Sequence, residues 1–412
     1  RMAGPVGRGL ATVVCILLAC VVVVPARTSP SLGKNTVVEV DTAHSPSLSC
    51  HIPVIRLHAE DYFHLGQAVG AHFKRQFVEF ASNYKALHEK FIPFISTAEG
   101  LEVFSALKRN CVEAFPDLVQ EIEGLAEGSG VPVEHVWLIN LRQEILMFLE
   151  RNQTLTESGR ECSDVLLAGP DAVISAHNED NSSTFLPGSY VIDAHVESTN
   201  EHYISYNYPL HTPGNAFCVN NHGVGFTNNA VFPREVRLDG VGRQLLARVI
   251  LQQAHDIHDV ERILARYKVA TGFNLNVGTV ATRAAPSSLI NIEVAPGTNF
   301  TCTHPDPKDV RTQLHFNEYL HHTVDQHADA SSEHRLTRAL QLVPPLEDAK
   351  DALRVLSDVA DRQYPIFRNG APPDHSITMA TVVLRYSEGV MDLYCSRPLP
   401  GKAAEQRISL HF

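Results

Sequence analysis

The apolar periodicity of this chain changes at Cys162, and this change constrains the fold more than any other feature of the sequence. Before Cys162, apolar residues such as Leu65, Val69 and Phe73 recur at the three- and four-residue spacing of a helix face. After it, short runs such as Val165–Leu167 and Val173–Ser175 flank turn residues, which is typical of strands. The sequence therefore predicts a helical segment followed by a layered segment of strands and helices.

The segment before Cys162 predicts three helices and one loop. An apolar stripe runs from Leu65 to Leu87. A second helix is expected to begin at Pro116 and to end by Gly130, and a third to cover Val133 to Leu149. The stretch from Asn152 to Glu161 is polar and lacks periodicity, which predicts an exposed loop directly before the cysteine.

The segment after Cys162 alternates groups of strands with pairs of helices, which favours an α+β protein over a βαβ wound sheet. The further runs predicted as strands are Tyr190–His195, Tyr203–Tyr208, Phe217–Asn220, Val224–Asn229, Phe273–Val280, Leu289–Val294, Met379–Tyr386 and Val390–Ser396. The runs predicted as helices are Gly242–Ala254, Ile257–Tyr267, Ser332–Leu342 and Ala349–Ala360.

Residues 1–26 have the pattern of a targeting segment. Arg1 and Arg8 flank the uncharged run from Leu10 to Val24. That run has about 15 residues, whereas a membrane-spanning helix needs about 20. The first interpretation is a signal peptide cleaved after Ala26, and the alternative is an uncleaved signal anchor, the one case in which we expect a membrane. Residues 27–51 are rich in Ser, Thr and Pro and are interpreted as a linker.

Three sequons agree with entry into the secretory pathway. Asn152, Asn181 and Asn299 each begin an Asn-x-Ser/Thr triplet, so all three are predicted glycosylation sites. The expected location is therefore the lumen of the secretory pathway or the outside of the cell. Six cysteines are scattered beyond the targeting segment, and an oxidising compartment allows one or two disulfides among them.

Charge and histidine spacing argue against two classes of function. The net charge is −12 and no stretch is strongly basic, so a nucleic-acid partner is not expected. The histidines cluster between His315 and His327, but without the HExxH spacing of a zinc site. We expect neither a metal nor a cofactor.

The stretch ECSDVLLAGPDAVISAHNED, from Glu161 to Asp180, predicts chemistry at Cys162. An N-terminal nucleophile needs a thiol or hydroxyl at the first residue of a strand, with its own α-amine as the base. A hairpin that begins at Cys162 returns its second strand beside the first, and this delivers His177, Asn178, Glu179 and Asp180 together near the thiol. The hypothesis is that Cys162 becomes an N-terminus, although such a cysteine without this context is more often a buried core residue or a disulfide half.

Five segments resemble the penicillin acyltransferase family of N-terminal nucleophile hydrolases, which includes an insect N-β-alanyl-dopamine hydrolase. They are ECSDVLL with AHNED, TPGNAFCVNNHGVGFTNNAV, GFNLNVGT with LINIEVAPG, LHFNEY with SSEHRLTRA, and QYPIFRNG with ITMATVVLRY. The resemblance covers most of the chain from about His51 to the end of the sequence. The resemblance implies a four-layer αββα sandwich and autocatalytic cleavage of the bond between Glu161 and Cys162.

The resemblance also implies roles for individual residues. Cys162 matches the nucleophile, and Asp180 matches the acidic residue that orients its amine. Asn274 matches the oxyanion-hole asparagine. Arg368 matches a late arginine tied to processing and catalysis, with Arg335 as the alternative for that role.

Asn228, Asn229 and Tyr206 are expected to contact the substrate. Cleavage would leave residues 52–161 as a small subunit and residues 162–412 as a large one, paired as a heterodimer. One departure bears on this cleavage: the family has glycine before the nucleophile, whereas this chain has the bulkier, charged Glu161. Slower, displaced or absent cleavage is the expected consequence.

The implied activity is hydrolysis of a small N-acyl amine, such as a β-alanyl biogenic amine, through a thioester on Cys162. Two alternatives stay open. The enzyme could pass the acyl group to an amine acceptor, or the chain could be an unprocessed, secreted binding glycoprotein on the same fold.

Overall fold

Two β-sheets and the helices around them form the fold in the computed structural model, which describes residues 36–40, 52–152, 162–170, 172–342 and 346–412. The strands are β1 (Val37–Val40), β2 (Val54–Ala59), β3 (Ser163–Ala168), β4 (Val173–Asn181), β5 (Tyr190–Val196), β6 (Glu201–Asn207), β7 (Phe217–Asn220), β8 (Val224–Ala230), β9 (Phe273–Thr279), β10 (Ser288–Val294), β11 (Phe300–Thr303), β12 (Leu314–His315), β13 (Ile377–Arg385), β14 (Val390–Tyr394) and β15 (Gln406–Ser409).

The α-helices lie mainly before β3 and between the later strands. They are α1 (Tyr62–His72), α2 (Lys74–Asn83), α3 (Ile92–Ile95), α4 (Ala98–Ala114), α5 (Pro116–Ser129), α6 (Val133–Asn140), α7 (Arg142–Glu150), α8 (Arg243–Gln253), α9 (Ile257–Arg266), α10 (Ala330–Leu342) and α11 (Ala349–Leu356). A π-helical turn covers Leu87–Phe91, and 3₁₀ turns cover Ser183–Phe185, Glu197–Thr199 and Val310–Gln313.

The two sheets have nine and six strands. The order in the larger sheet is β1-β2-β5-β6-β7-β8-β9-β10-β11, and in the smaller β12-β3-β4-β13-β14-β15. Neighbouring strands are antiparallel except for the parallel pair β2 and β5. Strands β8, β9 and β10 of the larger sheet contact β4 of the smaller one, so the sheets face each other. Helices α1, α8 and α9 pack on the larger sheet and α10 and α11 on the smaller, which confirms the αββα arrangement.

Helices α1 and α5 approach each other at backbone distance because glycines line their contact. Gly66 and Gly70 of α1 face α5, and Gly124 and Gly128 of α5 face α1. A Cβ added at any of the four would overlap backbone atoms of the opposite helix. This glycine-lined contact holds the helical layer together close to the larger sheet.

The main sequence predictions for secondary structure are confirmed, but the short strands β11, β12 and β15 were missed. The hairpin after Cys162 forms as β3 and β4, and the helix at Pro116 ends at Gly130, whose φ of 76° suits glycine. Among the further differences, three concern elements before β3. The first is that the helix predicted over Val133–Leu149 is divided into α6 and α7 at Leu141, whose φ of −101° and ψ of 14° are not helical.

The other two differences are elements that the sequence analysis missed. Strand β1 lies inside the predicted linker, since its β-branched Val-Val-Glu-Val run pairs with β2. Helix α4 has a Thr97 cap whose hydroxyl accepts the N–H of Gly100, and neither feature was used in the prediction.

Some predictions fall on residues that the structure leaves undescribed, namely residues 1–26, most of the predicted linker over residues 27–51, and the predicted loop from residue 153 to Glu161. Among the described cysteines, Cys395 is disulfide-bonded, whereas Cys111, Cys162, Cys218 and Cys302 are free. No helix in the described part of the chain combines the length and the apolar character needed to cross a membrane.

Candidate active site

Cys162 lies immediately before β3, and its side chain and backbone are almost fully buried, with 5% of the residue exposed. Its backbone N–H donates to Asn317 Oδ1 at 3.0 Å. Its carbonyl oxygen accepts from a terminal nitrogen of Arg335 at 2.7 Å. Two side chains from a distant part of the sequence therefore hold the peptide backbone of the cysteine.

Asn317 and Arg335 form one hydrogen-bonded clamp. The second terminal nitrogen of Arg335 donates to Asn317 Oδ1 at 2.7 Å, and the first also reaches the hydroxyl of Ser163 at 2.9 Å. Asn317 in turn donates from Nδ2 to the carbonyl oxygen of Ala230 at 2.9 Å. Sequence reasoning missed Asn317, although it lies in the quoted LHFNEY segment, and treated Arg335 only as an alternative to Arg368.

The thiol of Cys162 faces a buried carboxylate. Its Sγ lies 3.8 Å from Glu179 Oε1. The same oxygen accepts a short hydrogen bond from the hydroxyl of Tyr208, and Oε2 pairs with His177 Nε2 at 2.9 Å. Burial, and next the charge of Glu179, raise the pKa of the Cys162 thiol to about 12, although His177 opposes this. The thiol is therefore a weak acid in the uncleaved chain and needs a nearby base.

His177 is held between two carboxylates. Its Nδ1 lies 2.8 Å from Asp164 Oδ2, opposite the bond from Nε2 to Glu179. Asp164 also accepts from Thr227 and from Asn229, each at 2.6 Å. Burial alone lowers the pKa of His177, but the charge of Asp164 and the bond to it outweigh burial and raise this pKa well above its ordinary value. The imidazole therefore stays protonated at neutral pH.

The polar residues at the end of β4 are divided between the two faces of their strand. His177 contacts Asp164, which is itself bonded to Thr227, and Glu179 contacts Tyr208. Both side chains therefore point toward the larger sheet. Asn178 points the other way and donates to the carbonyl oxygen of Leu356. Of the four residues expected together at the thiol, His177 and Glu179 lie beside it and Asp180 lines the same pocket. Asn178 does not, because successive side chains of a strand alternate. The prediction also placed them past the strand, whereas β4 continues to Asn181.

Asp180 lies next to buried guanidinium groups. Arg368 donates from Nε to Asp374 at 2.8 Å and makes a second, shorter bond to the same carboxylate. Burial raises the pKa of Asp180 to about 8, and the charges of Arg368 and Arg335 only partly oppose it. Arg368 and Arg335, the two candidates for one role, thus both lower the pKa of Asp180. Of the two, Arg335 is the one that bonds Cys162.

Asn274 belongs to a buried amide cluster between the sheets. Its Nδ2 donates to Asn229 and Asn276, each at 3.3 Å, and its Oδ1 accepts from Asn291 at 2.7 Å. Asn274 pairs with Asn229 across the sheet. Its oxyanion role stays a prediction.

A small pocket opens beside the thiol. Its wall includes Cys162, Glu179, Asp180, Asn228, Arg142 and Arg243. The predicted substrate residue Asn228 is thus at the pocket. The other two predicted substrate residues pack elsewhere: Asn229 donates to Asp164, and Tyr206 stacks on Phe217 at 5.0 Å between ring centres.

Cys162, His177 and Glu179 also have donor atoms within 4.8 Å of one another, a set of ligand types that zinc uses. This grouping was not foreseen from the sequence. In the structure the three side chains are joined directly to one another and to Asp164, and both ring nitrogens of His177 already face carboxylates.

The three predicted glycosylation sites have different environments. Asn152 and Asn299 are exposed. Asn181 is 3% exposed, donates to the hydroxyl of Tyr208 at 3.2 Å and lines the pocket. Its burial contradicts the prediction, because a glycan cannot be accommodated in the core.

Comparisons with known proteins show what this chain is similar to. The β-alanyl-dopamine/carcinine hydrolase of Drosophila melanogaster is 24% identical over 358 residues, which cover 83% of this chain and 91% of that protein. Among solved structures, a Caenorhabditis elegans ortholog of N-acylethanolamine-hydrolyzing acid amidase matches with 12% identity and a TM-score of 0.38, over 54% of this chain and 92% of that one. The latter likeness is too distant to carry an argument.

A family model also matches the chain. The family model described as acyl-coenzyme A:6-aminopenicillanic acid acyl-transferase matches residues 167–400, which is more than half of the chain. The matched range begins within β3 and includes β4, Asn317, Arg335 and Arg368. The chain therefore belongs to the acyl-coenzyme A:6-aminopenicillanic acid acyl-transferase family.

Proposed function

We propose that this chain is a self-processing cysteine amidohydrolase that cleaves a small N-acyl amine through a thioester on Cys162. The family match and the similarity to a β-alanyl-dopamine/carcinine hydrolase support amide chemistry and suggest a β-alanyl amine as the first substrate to test. One observation carries the proposal. The thiol of Cys162 lines a pocket while its backbone nitrogen is held by Asn317 at 3.0 Å, so a single residue can supply both nucleophile and base.

In the proposed maturation step, the Cys162 thiol attacks the carbonyl carbon of Glu161. A C–S bond forms, the C–N bond to Cys162 breaks, and the thiol proton moves to the departing nitrogen. Water then hydrolyses the thioester, which restores the thiol and leaves a carboxylate on Glu161. Arg335 and Asn317 hold the carbonyl and nitrogen of Cys162 while these bonds change.

In the proposed turnover, the new α-amine of Cys162 takes the thiol proton. A free α-amine titrates at about 7.7–8.0, so it suits this role at neutral pH. The thiolate attacks the substrate amide, the amine product leaves with a proton, and water hydrolyses the thioester. Asn228, which lines the pocket, would donate an amide N–H to the oxygen of the attacked carbonyl.

The test combines fragment analysis with an activity assay. The wild type is expected to yield a fragment that begins at Cys162, as read by N-terminal sequencing, and to release histamine from β-alanyl-histamine. Cys162→Ala is expected to stay intact and inactive, whereas Cys218→Ala, which changes a buried thiol in β7, is the matched control for cysteine loss. Wild-type protein that hydrolyses the amide with the chain continuous at Cys162 contradicts the proposal.

The same assay separates hydrolysis from transfer. With hydroxylamine added as a competing amine, a hydrolase still forms mainly β-alanine, and an acyltransferase forms mainly the hydroxamate. A single uncleaved band without activity for the wild type would instead favour the binding-glycoprotein alternative.

We further propose that the protein matures in the secretory pathway. The disulfide at Cys395 and the exposed sequons at Asn152 and Asn299 support this location. Expression in secreting cells is expected to give a protein whose mass falls on treatment with an N-glycosidase. An unchanged mass, with the protein retained in the cytosol, contradicts it.

A further inference from the structure

Two buried arginines line the pocket beside the Cys162 thiol. Arg142 is the first residue of α7 and Arg243 the first of α8, and they are 7% and 6% exposed. Both contribute to the wall that also contains Cys162. Their charges are therefore placed where a small substrate would lie.

Neither charge is compensated by a close carboxylate in the described part of the chain. The guanidinium of Arg142 lies over the rings of Phe185 and Tyr208, at 4.8 and 5.7 Å from their centres. The guanidinium of Arg243 reaches only the amide oxygen of Asn228, at 3.5 Å. Burying a guanidinium without a partner is costly, so both positions favour an anionic ligand.

Other buried arginines show the contrast. Arg248 bonds Glu121 at 3.0 Å and Glu201 at 2.6 Å, and Arg368 is paired with Asp374. These pairs stabilise the fold without any ligand. Arg142 and Arg243 lack such pairs and lie at a cavity instead.

The acidic groups near the two arginines are already engaged or favour the neutral form. Glu179 is bonded to His177 and Tyr208. Burial raises the pKa of Asp180 to about 8, which leaves this carboxyl mostly neutral at pH 7. Glu144 accepts the backbone N–H of Arg243 at 2.8 Å, and burial raises the pKa of this carboxyl also. The Arg142 and Arg243 end of the pocket thus has two guanidinium groups, and among the described residues no carboxylate forms an ion pair with either of them.

We infer that Arg142 and Arg243 bind a carboxylate of the substrate, so that the enzyme prefers amides that carry a carboxylate over amides that lack one. The inference rests on the proposed amide hydrolysis and refines its substrate class. The carboxylate can belong to the amine part, as in an N-acyl amino acid, or to the acyl part, as in a dicarboxylic half-amide. Planar, two-pronged guanidinium donors suit either.

Three amides of similar size separate these cases. β-Alanyl-histamine has no carboxylate, β-alanyl-histidine adds one to the amine part, and succinyl-histamine has one in place of the β-alanyl ammonium. We expect kcat/KM for at least one carboxylate amide to exceed that for β-alanyl-histamine by about ten- to hundredfold, the range of a buried hydrogen bond to a charged group. A wild type that favours β-alanyl-histamine over both overturns the inference.

Variants show whether the arginines cause the preference. Arg142→Met and Arg243→Met are each expected to lower the preference ratio toward one, and Arg142→Lys to keep part of it. Arg109→Met removes an exposed arginine of α4 and is the matched control, for which the ratio should not change. Thermal unfolding and the fragment pattern report whether each variant folds. A ratio that survives in both methionine variants contradicts the inference.

A binding experiment keeps this inference separate from the proposed function. Ketomethylene analogues of the three amides cannot be hydrolysed, and calorimetric titration measures their binding to the wild type and to Arg142→Met. Tighter binding of a carboxylate analogue, lost in Arg142→Met, supports the inference even if no amide is hydrolysed. Equal binding of all three contradicts it even if hydrolysis occurs.

Discussion

Cys162 is held at three atoms by side chains from different parts of the chain. Its nitrogen bonds Asn317, its carbonyl oxygen bonds Arg335, and its sulfur faces Glu179. Because Asn317 also accepts from Arg335, the loss of Asn317 changes two of these contacts at once. Asn317 is therefore the positioning residue that most directly tests the site.

Asn317→Ala is expected to slow self-cleavage by about ten- to hundredfold, because Cys162 and Arg335 each lose a hydrogen-bond acceptor. Asn317→Asp keeps an oxygen acceptor and is expected to recover most of the rate. Cleavage is followed on denaturing gels after synthesis. The exposed Asn299→Ala is the control, and equal rates for Asn317→Ala and this control would contradict the role.

Asp180 is expected to make stability depend on pH. Its folded pKa of about 8 lies above the ordinary value of 3.8, so folding favours the protonated acid. This contribution is fully present below pH 4 and is lost as the pH rises toward 8. Both proteins are compared in the Cys162→Ala background. Between pH 4 and 8, the melting temperature of the Asp180→Asn variant should therefore rise relative to that of the protein with Asp180. A constant difference across that range contradicts the raised pKa.

The sequence predicts part of this site. Cys162, Asp180 and Arg335 could be found because each lies in a segment with a recognisable pattern. Asn317 could not be assigned, since its role depends on a bond across 155 positions of sequence. The amide cluster around Asn274 was not foreseen, because no local pattern reveals such a cluster.

At the scale of elements, successive polar side chains of β4 point to opposite faces of the strand. The same strand supplies Glu179 to the thiol and Asn178 to the layer that contains α11. The hairpin itself was predictable, because Gly169 and Pro170 mark its turn. The length of β4 was not, because its polar end is stabilised by partners on β13 and on the facing sheet rather than by strand propensity.

The glycine-lined contact between α1 and α5 leads to a prediction at this scale. Gly124→Ala is expected to destabilise the protein by about 1–3 kcal/mol, because the added methyl group overlaps the backbone of Phe63 and the helices must separate. Chemical denaturation of the Cys162→Ala background measures this. Gly169→Ala is the control, since its nearest neighbour would lie at 3.8 Å. Equal stability of the two variants contradicts close packing.

At the scale of the whole molecule, the segments on either side of Cys162 share one sheet. Strand β2, from the first segment, lies between β1 and the later strand β5. Glu121 of α5 is bonded to Arg248 of α8, and both are buried. Separating the segments would expose the edge of β5 and leave a buried charge with one partner fewer, which costs several kcal/mol.

The two fragments that the proposed cleavage would produce are therefore expected to remain one particle. In native buffer they should elute together from a size-exclusion column at the mass of the intact chain or a multiple of it, and in 6 M guanidinium, roughly the range that unfolds even hyperstable domains, they should separate. Glu121→Gln should weaken this association in dilute denaturant. Fragments that elute apart in native buffer contradict the shared sheet.

Asn317 and Arg335 are hydrogen-bonded to Cys162 while its nitrogen is still part of a peptide bond. In the proposed maturation both contacts are in place before the C–N bond breaks, so protein crystallised before cleavage should become active within the crystal. The time of activation would then be the time at which the bond between Glu161 and Cys162 breaks.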